Sequence, residues 1–337
     1  MVEQMCDVEV ITECGTGMVA TPSWDEFAAA QGTVFHTRRF LLSWWNDRPA
    51  ANPGSRLVTA QVVDDERIVG ICAFELDSGA LSFAGGADVV DYMGPVAAAG
   101  REKEVAAALA RWMFDDALPW DRAHLAGLVH NDAAGQAIVD EVVRIAPAAV
   151  VAAYDQAPRI EAAPLGYLPY LNSKRRADIL RKRNRLTEAV GDIELVASTA
   201  ETVLGSVERL LAWKAAASAE TRSFVDSYGD FVRTMVGELA AVDACHVVEL
   251  HAGGRPLASA IMLYQQDTAY IYNMAYDMSL TAPEGQVGLA PGVVLVSLLV
   301  ERSLERGLRF DFLKGAQDYK LRLGGVPVDL IGVTVDR

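Results

Sequence analysis

Tyr270-Ile-Tyr-Asn-Met-Ala-Tyr276, Ala290-Pro-Gly-Val-Val-Leu-Val-Ser-Leu-Leu-Val300 and Leu308-Arg-Phe-Asp-Phe-Leu-Lys-Gly315 succeed one another, and Asp318-Tyr-Lys-Leu-Arg-Leu-Gly324 closes the series. The first segment alternates with period two, so a strand there places Tyr270, Tyr272, Met274 and Tyr276 on one face. The second opens with Pro and Gly, continues as a largely apolar run from Val293 to Val300, and stops at Glu305-Arg-Gly307, where Gly suits the left-handed position after a helix. A helix start with unpaired N–H groups, positive dipole and a Gly admits an anion of pyrophosphate size close to the backbone. The third segment reads as a second strand.

The string Phe310-Asp-Phe-Leu-Lys-Gly315, followed by Tyr319-Lys320 and Arg322-Leu-Gly324, resembles the end of the GNAT-fold acyltransferase domain of CelD-like proteins, relatives of the FemABX peptidyltransferases. Gly85-Gly-Ala-Asp88 with Asp91-Tyr92, and Leu168-Pro-Tyr170 followed by a basic helix over Lys174 to Arg185, fit the same pattern. The resemblance spans about residues 24 to 325. It implies a mixed α/β fold of two tandem GNAT-like domains, each a mostly antiparallel mixed sheet flanked by helices. It also implies acyl-CoA, most simply acetyl-CoA, as co-substrate. Relatives run quickly from the Tyr-rich strand to a Ser-Pro-Gly turn, whereas here Thr281 to Gly288 lengthens the connection and Ala290 replaces the serine.

An internal repeat supports the tandem reading without the resemblance. Val62-Val-Asp-Asp-Glu-Arg-Ile-Val-Gly-Ile-Cys-Ala-Phe74 aligns without gaps on Leu250-His-Ala-Gly-Gly-Arg-Pro-Leu-Ala-Ser-Ala-Ile-Met262, each a hairpin with a polar turn. Both copies continue as strand, loop, helix and strand: Ala80 to Gly85, Arg101 to Phe114 and Arg122 to Leu128 in the first; Thr268 to Asn273, Gly292 to Arg306 and Leu308 to Leu313 in the second. The Pro-containing stretch from Ala157 to Pro169 suggests domains over 1–157 and 158–337. Glu102 and Glu104 at the first copy's helix start disfavour a pyrophosphate, which assigns the coenzyme to the second copy and acceptor shaping to the first.

With 337 residues, 51% of them hydrophobic, the chain can bury two cores, and its apolar runs fall short of the roughly 20 residues of a membrane-spanning helix. The first residues, Met1 to Asp7, carry no basic or apolar signal region, so a cytoplasmic address is expected. The net charge is −15, yet the helix from Ser173 to Leu186 holds seven basic residues against Asp178. An acidic body disfavours DNA and tRNA as partners. The basic helix is either a solvated face or a clamp for a coenzyme phosphate, a lipid pyrophosphate or an anionic membrane surface. Monomer or weak homodimer is expected. The four cysteines lack Cys-x-x-Cys spacing, and His246 and His251, five apart in a strand, cannot share a metal, so free thiols and no metal are expected.

Amide formation from an activated thioester needs positioning, removal of a proton from the ammonium and stabilisation of an oxyanion. Asp91 is the first choice for the base, with Asp311 and Asp277 behind it; a turn role for Asp91 is equally open. Lys320 resembles the lysine that FemABX-type enzymes place near the oxyanion or an acceptor phosphate. Tyr276 could protonate the departing thiolate. Asn273, Met274, Ala290, Gly292, Val293 and Tyr319 are the expected coenzyme contacts, and Tyr92, Tyr272, Trp44 and Asp277 the acceptor contacts. Aromatic residues on strands and amphipathic helices more often belong to the core, which applies to Tyr272, Tyr276, Trp44 and Trp213. Asp311 between two phenylalanines needs a partner such as Lys314, Lys320 or Arg322. Ser227-Tyr-Gly229 reads as a connector between helices, or a loop over the acceptor.

The expected activity is N-acyl transfer from acyl-CoA to an amine of a sugar, amino acid or cell-envelope precursor, by direct attack in a ternary complex. A FemABX-like transfer from aminoacyl-tRNA, or a noncatalytic role in polysaccharide assembly, are the alternatives.

Overall fold

The computed structural model describes residues 8–51, 53–86, 88–115, 118–280 and 288–337. These form two compact units, residues 1–156 with 328–337, and residues 157–327.

In unit 1 the order is β1 (Glu9–Cys14), α1 (Pro22–Gln31), α2 (Arg38–Ala51), β2 (Arg56–Asp64), β3 (Arg67–Asp77), β4 (Ala80–Phe83), β5 (Val96–Ala97), α3 (Glu102–Met113), β6 (Arg122–Val129), α4 (Ala133–Ile145) and β7 (Val150–Ile160), whose last residues enter unit 2. Unit 2 continues with α5 (Tyr167–Tyr170), α6 (Ser173–Val190), β8 (Ile193–Ala197), α7 (Val203–Ala217), α8 (Ala219–Ala240), β9 (Cys245–Ala252), β10 (Arg255–Gln265), β11 (Thr268–Tyr276), α9 (Pro291–Glu305), β12 (Arg309–Asp311) and α10 (Asp318–Arg322). The last strand, β13 (Val326–Asp336), returns to unit 1 and pairs antiparallel with β6, from Leu330 opposite Val129 to Asp336 opposite Arg122. The domain expected over 158–337 therefore stops at 327. Leu330, Val333 and Val335 are buried apolar side chains, and β6 offers them a ladder.

The repeat extends to backbone irregularities. β2 and β3 turn through Asp65 and Glu66, both at positive φ, as β9 and β10 turn through Gly253 and Gly254. In the first hairpin Val69 is the extra residue of a bulge, and in the second Leu257 occupies the aligned position. Both units then place the next strand parallel to the one after the helix for three residue pairs, Ala80↔Arg122 to Ser82↔His124 and Thr268↔Arg309 to Tyr270↔Asp311.

Each sheet is covered by a helix whose apolar face the sequence dictates. On α3, Val105, Ala106, Leu109 and Met113 recur at helical spacing and are buried. Gly70 on β3 allows the close approach, since a Cβ there would lie 2.5 Å from Val105. The corresponding α9 is buried through Val294, Leu295, Val296, Leu299 and Val300. The basic helix α6 buries only Ile179 and Leu186. It turns Arg183 inward, where the guanidinium donates to Glu301 Oε2 at 2.7 Å and to the carbonyl of Ser297 at 3.0 Å. Lys182 and Arg181 are occupied by Asp178.

Ser227 to Gly229 lies inside α8. The break falls earlier, at Ser218, whose hydroxyl caps the N–H of Thr221. Cys14, Cys72 and Cys245 are free thiols. Among the described residues no helix is long and apolar enough to cross a membrane, and no group of three or more His, Cys, Asp or Glu is placed to hold a metal ion.

Candidate active site

In unit 2, β11 is antiparallel to β10 along its length, but its ladder with β12 ends at Tyr270↔Asp311. The two strands part there. Tyr272 is an extra residue on β11, because Asn273 opposes Ile261 while Ile271 opposes Met262. Such a bulge raises local twist and re-aims the following side chains. It also breaks the single aromatic stripe expected from strict alternation. Ile271 and Met274, three residues apart, both pack in the core with α9. Asn273 accepts a hydrogen bond from Lys214 of α7. Tyr270 is buried, Tyr272 half-buried and Tyr276 exposed.

The end of β12 is fixed by hydrogen bonds of backbone and side chain. Phe312 N–H donates to the carbonyl of Pro158 at 2.9 Å. Leu313 adopts a left-handed φ of 59°, and its N–H donates to Asp311 Oδ1 at 2.7 Å. Lys320 is buried, with its ammonium donating to the carbonyls of Leu313 at 3.1 Å and Lys314 at 2.7 Å. Asp311 and Lys320 thus build the turn that ends β12, while Arg322 pairs with Asp318. Tyr319 is half-buried, and burial pushes its phenol up to about 12. The quoted motifs meet here: the hydroxyls of Tyr167 and Tyr170 donate to the carbonyls of Leu323 and Gly324, each at 3.0 Å.

The start of α9 lies against the same stretch of β11. A Cβ at Gly292 would approach Met274 Cε to 2.7 Å and Tyr276 Cδ1 to 3.1 Å, so the glycine permits close packing of helix on strand. Ala290 at the N-cap is left-handed, with φ 50° and ψ 49°, and makes no side-chain cap; Pro291 follows at the first position. The first-turn N–H groups of Gly292 and half-buried Val293 therefore lack a capping side chain. Asp277, after β11, is tied to Arg255 at 2.6 Å and caps Ser279 N–H at 2.9 Å. The bonds from Ser279, then the Arg255 guanidinium, hold its carboxyl below the usual range. The long connection, Thr281 to Gly288, lies over 281–287 outside the described residues.

Lys214, next to Trp213 on α7, received no role from the sequence. Its ammonium is 2.9 Å from Asn273 Oδ1 and 4.8 Å from the centre of the Phe224 ring. Burial holds its pKa below the usual lysine range, with Glu220 opposing the shift. The signal was its place on the stripe Val207, Leu210, Leu211 and Lys214, whose first three members are buried.

Unit 1 has the same parting between β4 and β6, but its own chain runs into it. Met93 N–H donates to the carbonyl of Gly127 at 3.1 Å, and Gly127 is the extra residue of a bulge on β6. A Cβ on Gly94 would lie 2.5 Å from Leu128, and one on Gly127 would lie 2.9 Å from Met93 Cε. Asp91 is half-buried in this inserted segment. Tyr92 is buried edge-on to Phe35, with centroids 6.1 Å apart. Trp44 is buried beside Trp45, with Arg48 over its ring. Both rings belong to the core of unit 1, where sequence reading expected acceptor contacts.

Residues 173–321 match the family model described as Acetyltransferase (GNAT) domain. No curated protein matches the chain. Among solved structures, a conserved protein of unknown function from Bacteroides thetaiotaomicron is similar over 97% of this chain and 100% of its own, with TM-score 0.59 and 12% identity. FemX is similar over 96% of each chain, with TM-score 0.58 and 9% identity. L-PGS from Bacillus licheniformis is similar over 93% of this chain and 91% of its own, with TM-score 0.58 and 10% identity. At these identities the likeness concerns the fold.

Proposed function

We propose, from the match of residues 173–321 to the GNAT acetyltransferase domain model and the fold shared with FemX, that unit 2 binds an acyl-CoA and passes its acyl group to an amine. The observation that carries this reading is the parting of β11 from β12 after three residue pairs, beside the uncapped start of α9. A pantetheine arm has amide groups that pair with a strand edge as a β-strand does. A pyrophosphate suits a helix start with unused N–H groups and positive dipole. In unit 1 the equivalent gap is taken by Asp91 to Gly94, and Glu102 and Glu104 stand in the first turn of α3. Those features favour unit 2 for the coenzyme.

The chemistry is direct. The acceptor nitrogen, once neutral, attacks the thioester carbon; the C–N bond forms, the nitrogen sheds one proton, the C–S bond breaks, and the departing thiolate takes up one proton, so that the step balances. Backbone N–H groups at the bulge around Tyr272 and Asn273 are suited to the carbonyl oxygen as it gains charge. Acetyl is the simplest acyl group. The acidic charge outside α6 favours a small acceptor, such as an amino sugar, amino acid or envelope precursor, over a nucleic acid.

Isothermal titration with acetyl-CoA and longer acyl-CoAs tests the coenzyme site. Micromolar binding is expected, weakened at least about tenfold, or 1.4 kcal/mol, by Gly292→Asp and Val293→Glu, which set a carboxylate against the pyrophosphate. Val293 is half-buried and packs against the core, so Val293→Gln, the uncharged match of Val293→Glu, separates charge from packing and is expected to retain binding. Absence of binding by every acyl-CoA sinks this reading.

A further inference from the structure

Around the sheet of unit 2, Arg183, Arg209 and Arg255 each meet a carboxylate, on Glu301, Glu249 and Asp277. Lys214 does not. Half-buried on α7, it has the amide oxygen of Asn273 and the face of Phe224, and among the described residues no carboxylate forms an ion pair with it. Glu220, at the exposed first turn of α8, acts on it only through space.

An ammonium withdrawn from water is costly unless an anion compensates it. An amide oxygen and an aromatic face supply part of that compensation, and an ammonium has three donors, of which Asn273 takes one. The location gives the gap a use. Asn273 follows the bulge, on the stretch of β11 beyond its last pair with β12, so the ammonium lies one side chain from the parting assigned to the thioester. Phe224 and Tyr228, with ring centres 5.3 Å apart, add an aromatic wall on α8. In a chain of net charge −15, a local cation offsets the repulsion that an anionic molecule meets.

We propose that Lys214, Asn273 and Phe224 form the acceptor subsite of unit 2, and that the acceptor is an amine that also carries an anionic group, carboxylate or phosphate, which pairs with the Lys214 ammonium. This rests on the acyl-CoA reading above. The subsite selects acceptors by their charge, while the amine of the same molecule reaches the thioester carbon.

The test uses matched probes, glycine against methylamine and glucosamine 6-phosphate against glucosamine. Thiol release from acetyl-CoA is followed in the full-length protein, Lys214→Met and Lys214→Arg. The expected result is kcat/KM at least about tenfold higher for the anionic member of a pair. Lys214→Met abolishes that preference mainly through acceptor KM, Lys214→Arg retains much of it, and the Kd for acetyl-CoA stays within about twofold in both. The two pairs distinguish carboxylate from phosphate. Equal use of charged and neutral members, or a preference that survives Lys214→Met, overturns the proposal. If acetyl-CoA fails to bind, the acyl-CoA reading falls separately, and titration of the same probes into the coenzyme-free protein decides the subsite. Binding of an anionic probe lost in Lys214→Met upholds it, and binding insensitive to Lys214, or none, overturns it.

Discussion

At His36 the imidazole Nδ1 accepts from Thr33 N–H at 3.2 Å, and Nε2 is buried. Burial drives the pKa from 6.5 to about 4, against smaller opposing effects from the Gly94 and Thr33 backbone and from Asp132. The unfolded chain therefore takes up a proton as pH falls through 6.5, while the folded chain resists until about pH 4, so stability is lost across that window. The loss amounts to about 1–2 kcal/mol between pH 7 and pH 5. Urea unfolding at both pH values should show that loss in the wild type and a smaller one in His36→Gln. His36 lines a pocket with Cys72, Tyr92 and Gly94, so the same ring supports the segment that occupies the unit 1 gap. None of this is legible from an isolated His in sequence, because it depends on which backbone encloses the ring. Lys320 makes the same point: its motif was legible, but its burial against two carbonyls depends on the turn it closes.

Among the elements, α9 carries a local cost that the sequence displays as a substitution. Ala290 holds a left-handed conformation that disfavours a Cβ, where a glycine would be relaxed. Ala290→Gly is expected to raise stability by about 0.5–1 kcal/mol in chemical denaturation, with no loss of acyl-CoA affinity, since the backbone donors remain. The helices and strands of the repeat were readable because their periodicities are local, and the gapless alignment of 62–74 on 250–262 carries even the shared bulge at Val69 and Leu257. The bulge at Tyr272 was not readable. It arises from how β11 pairs with β10, and it redirects Asn273 toward α7 although period-two counting alone gives one continuous stripe of Tyr270, Tyr272, Met274 and Tyr276. Likewise Ser227 to Gly229 looks like a break but continues α8, because the capping box at Ser218 supplies the start and Gly229 is buried within the helix.

For the whole molecule, the strand that crosses back to unit 1 matters most. Leu330, Val333 and Val335 are buried, and Arg337 donates to the carbonyls of Leu118 at 2.8 Å and Phe114 at 2.7 Å while its guanidinium lies over Trp120. Removing residues 328–337 forfeits three buried side chains at about 1.5–3 kcal/mol each, as much as a domain's entire stability, and strips a ladder from β6. The truncated protein is expected to lose the tertiary signal of unit 1 and to expose it to limited proteolysis, whereas fragments from residues 157–327 persist. Equal resistance of both units would show that β13 is dispensable. The sequence punctuates the boundary with Gly324-Gly-Val-Pro327, but only the pairing shows that the strand after it belongs with β6.

The arrangement also sets an order of events during synthesis. Everything that unit 2 needs is translated before residues 328–337, whereas unit 1, although translated first, must wait through residues 157–327 for its last strand. At ~5–20 residues per second that delay is on the order of ten to thirty seconds. Throughout it the edge of β6 is an unpaired apolar strand, the kind of surface that a nascent-chain chaperone covers. The half of the protein assigned to the coenzyme is thus completed before the half that precedes it in the chain.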